Sequence, residues 1–120
     1  MIKNILLVDD SAFMRTLIKN ILKKNGYNVV GEAENGKKGV ELYFKLNPDI
    51  VFMDVVMPEM NGIDCVKNIR AKDPKAKILM CSSSGQQAVV MDAINAGARG
   101  FITKPFQESK ILDELSRADS

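Results

Sequence analysis

Histidine is absent from the 120 residues. That absence alone removes whole classes of chemistry. No Ser-His-Asp triad, no Cys-His nucleophile pair, no imidazole zinc site and no phosphohistidine relay can belong to this chain. Any catalysis has to run on carboxylates, lysine, hydroxyls and a metal. Tryptophan is missing too, so no indole reports on a site by fluorescence. Cysteine occurs only as Cys65 and Cys81, with no C-x-x-C pair and each inside an apolar stretch. Both are expected to be buried thiols in a reducing compartment. Charge of one sign is hardly in excess, since 17 Lys plus Arg against 15 Asp plus Glu leaves +2. So small a balance predicts binding to neither nucleic acid nor a membrane surface. No apolar run approaches the ~20 residues of a membrane span. The apolar start of the chain is too short for a signal peptide and stops at Asp9-Asp10. A cytoplasmic protein is expected.

What is present is the composition of a soluble globular domain, 46% hydrophobic and 27% charged. Typical domains run to roughly 100–200 residues, so residues 1–120 are expected to form one. Such a chain buries about two-thirds of its unfolded surface, enough for a core without staples. No internal repeat, linker or low-complexity stretch interrupts it.

Ile5-Leu6-Leu7-Val8, Ile50-Val51-Phe52-Met53 and Ile78-Leu79-Met80-Cys81 are short runs apolar at every position. That pattern predicts strands covered on both faces, the mark of a parallel sheet. Asn28-Val29-Val30 and Phe101-Ile102-Thr103 are less apolar and suit the edges. A helical pattern follows each run. Phe13, Leu17, Ile21 and Met14, Ile18, Leu22 recur at helical spacing, with Ser11 as N-cap and Gly26 as the stop. A second helix covers about 37–46 and ends before Asn47-Pro48. A third runs from about Gly62 to Ala71. A fourth spans about 86–96 and stops at Gly97, and a fifth follows Pro105 with Ile111, Leu112 and Leu115. Alternating strands and helices predict a doubly wound α/β fold, with a parallel sheet covered on both faces. In such folds the working site lies at the carboxyl ends of the strands.

Asp9 and Asp10 follow the first strand, Asp54 closes the third, Ser82-Ser83-Ser84 the fourth and Lys104 the fifth. Singly these residues suit a helix cap, a turn or a solvated lysine. Together, at four strand ends on one edge, they are expected to converge. Three close carboxylates repel unless a cation neutralises them, and oxygen ligands without histidine select a hard ion, Mg²⁺ before zinc. Metal, ammonium and hydroxyl around a carboxylate are the parts of a phosphoryl-transfer site.

With these residues in place, the chain resembles the receiver domain of two-component response regulators, and in particular the stand-alone chemotaxis proteins of the CheY type. The resemblance is carried by Val8-Asp9-Asp10-Ser11, by Asp54-Val55-Val56-Met57-Pro58-Glu59-Met60-Asn61-Gly62, by Cys81-Ser82, by Ala96-Gly97-Ala98 and by Phe101-Ile102-Thr103-Lys104-Pro105-Phe106. Ala12-Phe13-Met14-Arg15 and Gly85-Gln86-Gln87 add to it. These residues run the length of the chain. The resemblance implies five strands in the order 2-1-3-4-5 with five helices, and Asp54 as phosphoacceptor. Asp9, Asp10, Asp54 and the backbone carbonyl of Val56 would hold Mg²⁺. Lys104 would pair with the phosphoryl group ahead of a cis bond to Pro105, Ser82 would donate its hydroxyl, and Ser82 and Phe101 would form the switch. The implied partners are a chemotaxis histidine kinase, a flagellar motor switch protein in a bacterium or a motor adaptor in an archaeon, and a phosphatase. The protein would be a monomer that catalyses only its own phosphorylation and dephosphorylation. The chain departs from the family pattern in two respects. Val56 and Ser84, where the family tunes attacking water, are apolar and small, and Phe101 lacks the hydroxyl of the more usual tyrosine.

A haloacid-dehalogenase-type phosphatase would need an acid two residues after its nucleophile, where this chain has Val56. An FMN carrier would need a hydroxyl- and glycine-rich phosphate loop in place of Asp9-Asp10-Ser11-Ala12-Phe13. The P-loop pattern is absent. A phosphorelay intermediate remains an alternative within the receiver class. Met14, Met53, Met80 and Met91 fall within apolar patterns and are expected in the core, whereas Met57 and Met60 are the candidates for contact with a partner.

Overall fold

Ile5 and Leu7 of the first strand pack into one layer of core, Leu6 and Val8 into another, and all four are buried. A strand that buries both faces has no room for alternate polar residues, hence the apolar runs. The computed structural model describes residues 3–57, 60–83, 87–104 and 106–119. Along them run β1 (Asn4–Val8), α1 (Ala12–Lys24), β2 (Asn28–Ala33), α2 (Gly36–Leu46), β3 (Ile50–Asp54), α3 (Gly62–Lys72), β4 (Ile78–Ser82), α4 (Gln87–Ala96), β5 (Gly100–Thr103) and α5 (Glu108–Asp119). The strands form one parallel sheet in the order β2-β1-β3-β4-β5, as expected. One core layer joins Ile18 and Leu22 of α1 to Ile111 and Leu115 of α5 across Phe52 and Leu79. The other joins Tyr43 of α2, Val66 and Ile69 of α3 and Ala93 of α4 across Met53 and Met80.

Local chemistry sets the ends of the elements. The hydroxyl of Ser11 accepts from the Met14 amide at 3.2 Å and caps α1. Asn35 and Asn61 cap α2 and α3 in the same way. Gly26 and Gly97 take positive φ, +85° and +113°, where the chain leaves α1 and α4. Asn47, held out of the helical region by Pro48, closes α2 in the left-handed conformation at φ 48°. β2 is longer than Asn28–Val30 because it continues through Gly31 and Glu32 to Ala33. A Cβ on Gly31 would lie 2.6 Å from Leu46 Cδ1, so α2 packs closely over the strand at this glycine.

Four apolar expectations need correction. At 100° per residue, Phe13 lies about 140–180° around the helix from Ile18 and Leu22. It therefore points outward and is 75% exposed, while Ile18 and Leu22 are buried against the sheet with Ile21 packed beside them. Met14, expected in the core, is only half-buried, because it lies at the N-terminal end of α1 where the helix rises from the sheet edge. Met91 is likewise exposed, because α4 seats itself by Ala93, about 200° away. Met57, a candidate for partner contact, is buried in the turn after β3. Met60 is half-buried and also packs on the core. Met53, Met80, Cys65 and Cys81 are buried as expected. Among the described residues no helix is long and apolar enough to cross a membrane.

Candidate functional site

The register of the sheet brings the strand ends level. Val8 pairs with Met53, so Asp9 begins where β3 reaches Asp54. Asp54 in turn faces Cys81, and Ser82 pairs with Thr103, which places Lys104 at the same edge. Sheet order reverses between β1 and β3, so Asp9 and Asp54 flank the crevice where doubly wound sheets bind ligands. The carboxylates of Asp9, Asp10 and Asp54 each place an oxygen within 4.8 Å of the others. Asp9 and Asp54 are buried and Asp10 is exposed, so the cluster opens to solvent on one side.

Asp9 is held at every polar group. Its amide donates to the Ala33 carbonyl at 3.0 Å. Its Oδ1 accepts from the Ser11 amide at 2.9 Å and its Oδ2 from Lys104 Nζ at 3.1 Å. The same ammonium stands 3.5 Å from Asp54 Oδ2. Burial at the strand end, then the neighbouring Asp9 carboxylate, push the Asp54 carboxyl up from 3.8 to about 6, against the pull of Lys104. For Lys104, burial works against its charge, but the Asp54 and Asp9 carboxylates prevail and raise its pKa. Burial also raises the thiols of Cys65, to about 11, and of Cys81, so neither is a nucleophile.

The backbone beyond Asp54 is tied down by Val55, whose amide donates to the Cys81 carbonyl and whose carbonyl accepts from Gly62. Gly62 is required there, because a Cβ would collide with the Asp54 carbonyl and the Met80 methyl. Val56, between two buried neighbours, turns its side chain outward and is 73% exposed. Ser82 is buried, and its carbonyl accepts from the Lys104 amide at 2.7 Å. Phe101 is half-buried against the core layer that includes Met80, Val89 and Ala93. The structure thus brings Asp9, Asp10, Asp54 and Lys104 into one cluster, with Ser82 on the adjacent strand and Phe101 beyond it. Ser84, Gln86 and Pro105 lie outside the described residues, as do Pro58 and Glu59.

The sequence of the family described as "Response regulator receiver domain" matches residues 5–116. The chain belongs to that family. Doubly wound sheets of the order 2-1-3-4-5, CheY among them, obey the strand-end rule for ligand sites, so the position of the acidic cluster agrees with the family. The chain is 56% identical to the chemotaxis protein CheY of Thermotoga maritima, covering 96% of each. It is 54% identical to CheY of Bacillus subtilis, covering 98% of each. A chain in the crystal structure of the CheX–CheY–BeF3–Mg²⁺ complex of Borrelia burgdorferi is 36% identical, with a TM-score of 0.91 over 94% of this chain and 86% of that one. This receiver domain is therefore of the chemotaxis response-regulator type and belongs to two-component signalling.

Arg15 and Glu32 escaped the strand-end argument. Arg15 sits one turn into α1 and reaches back to the Asp9 carbonyl, while Glu32 of β2 pairs with both Arg15 and Lys19. The sequence signal was available in the Arg15/Lys19 spacing on α1 and in a lone acid within β2.

Proposed function

We propose that residues 1–120 form one receiver domain that works as a stand-alone chemotaxis response regulator in the cytoplasm, taking a phosphoryl group from a histidine kinase onto Asp54. The observation that carries this reading is the Asp54 carboxylate at the end of β3, flanked by two carboxylates within 4.8 Å and by the Lys104 ammonium at 3.5 Å. Three carboxylates against one ammonium leave the cluster short of positive charge, and its donors are all oxygen, so the site fits Mg²⁺. Asp9, Asp10, Asp54 and the Val56 carbonyl would hold the ion, whose charge would offset that of the incoming phosphoryl group.

In the transfer, an Asp54 carboxylate oxygen forms a bond to phosphorus while the N–P bond of the kinase phosphohistidine breaks, and the imidazole leaves with the electron pair. Lys104 neutralises charge on the phosphoryl oxygens, and its contact with Asp9 keeps the ammonium at that spot beforehand. The Ser82 hydroxyl donates to a phosphoryl oxygen. Its movement frees space beside β4 into which Phe101 turns, and α4, β5 and α5 change shape together. The phosphoryl group biases this equilibrium by its differential affinity for the two states. The altered face binds a motor switch protein or motor adaptor, and a phosphatase resets the protein, which acts as a monomer and catalyses only its own phosphorylation and dephosphorylation.

The test is intact-mass spectrometry after incubation with acetyl phosphate and Mg²⁺, with the modified residue mapped by peptide fragmentation. One phosphoryl group on Asp54, lost in Asp54→Asn, is expected. Equal labelling of Asp54→Asn at another residue would overturn the assignment.

A further inference from the structure

Asp9 is anchored from two directions that no other acid of the cluster shares, and both lead to β2. Its amide is bonded directly to Ala33. Its carbonyl accepts from Arg15 Nη1 at 2.5 Å. The guanidinium is oriented in turn by Glu32, adjacent to Ala33, whose Oε1 accepts from Arg15 Nε at 3.1 Å. Lys19 holds the other oxygen of Glu32 at 2.8 Å. With Lys19 first among the causes and Arg15 contributing against a burial penalty, the Glu32 carboxyl lies below its ordinary range. The Arg15 side chain is only 14% exposed, so this brace works in a partly desolvated setting. A planar fork can bond a carbonyl and a carboxylate at once, which a lysine ammonium does without fixed geometry.

We propose that Arg15, oriented by Glu32, is a positioning residue that fixes the Asp9 backbone and so preorganises the acidic cluster for its cation. The inference rests on the reading of that cluster as a Mg²⁺ site. Charge and positioning make opposite demands here. A guanidinium beside a cation site opposes the cation through space, so if Arg15 acted by charge alone, its loss would tighten Mg²⁺ binding. If it acts by positioning, its loss weakens binding, as removal of outer supports of metal ligands does, typically by 10–100-fold. Lys19 provides the control. It shares Glu32 with Arg15 and carries the same charge, but its bond in the network is to Glu32 and not to Asp9.

The experiment is a Mg²⁺ titration of the phosphate-free protein by amide NMR, comparing the parent with Arg15→Gln, Arg15→Lys, Lys19→Gln and Asp10→Asn. Arg15→Gln and Arg15→Lys are expected to bind about 10-fold more weakly, the latter although it keeps its charge. Lys19→Gln is expected to bind as tightly as the parent or slightly tighter. In the Mg²⁺-free spectra the Ser11 amide, which reports the Asp9 carboxylate directly, should shift in both Arg15 variants and hold its place in Lys19→Gln. Parent-like or tighter binding by Arg15→Gln, with the Ser11 amide unmoved, would overturn the positioning role. Should Arg15→Gln fail to fold, Arg15→Lys carries the same test. A parent that binds no Mg²⁺, or Asp10→Asn binding as tightly as the parent, would instead refute the metal site itself.

Discussion

Replacing Asp54 with asparagine removes a carboxyl that the fold holds at about 6 in place of 3.8. A raised carboxyl means that the folded state binds its proton more tightly than the unfolded chain does. Its contribution to stability is then complete below 3.8 and is lost as pH rises to about 6. Each pH decade is worth about 1.4 kcal/mol, so the two decades amount to about 3 kcal/mol of destabilisation at neutral pH. Asparagine keeps the size and forgoes the charge, and Lys104 keeps its contact with Asp9 at 3.1 Å. In Mg²⁺-free buffer at pH 8, Asp54→Asn should therefore melt higher than the parent. At about 4 °C per kcal/mol for a domain of this size, the rise is about 12 °C. The assay is thermal unfolding by circular dichroism at pH 5 and pH 8, with and without Mg²⁺. The gap should shrink at pH 5, where the parent holds much of its proton. It should also shrink in Mg²⁺, which stabilises only a folded state that binds it. An Asp54→Asn protein no more stable than the parent at pH 8 without Mg²⁺ would refute the account of the site as three carboxylates held together at a cost.

Lys104→Ala should fold and bind Mg²⁺ more tightly than the parent, because a competing ammonium has gone, yet gain little phosphoryl from acetyl phosphate. Full labelling at the parental rate would contradict the role given to the ammonium. Gly62→Ala should lose at least about 2 kcal/mol of stability by overpacking, since its Cβ meets a backbone carbonyl that cannot retreat, and chemical denaturation measures the loss. Ser82→Ala and Phe101→Ala should both be phosphorylated at Asp54 but bind the output partner at least about 5-fold less well, a difference within the usual range of coupling between sites. Equal retention of the phosphorylated parent and variants in a pull-down would rule out that coupling route.

Sequence alone determined the order and kind of the elements, because a strand buried on two faces has to be apolar throughout and each helix carries its own caps and stops. It also placed Asp9, Asp10, Asp54, Ser82 and Lys104 at strand ends, since a polar residue directly after an apolar run can only mark the edge of the core. Tertiary structure decided what periodicity leaves undetermined. Phe13 and Ile21 share one helical stripe, and only the seating of α1 on the sheet exposed the first while packing the second beside the buried Ile18 and Leu22. Met57 and Val56 sit side by side in the turn after β3, and the path of that turn buried one and exposed the other. The brace on Asp9 is of the same kind. Arg15 meets Glu32 across 17 residues and Lys104 meets Asp9 across 95. Contacts between groups so far apart in the chain exist only once parallel strands have brought their ends level, and a one-dimensional pattern carries no trace of that distance.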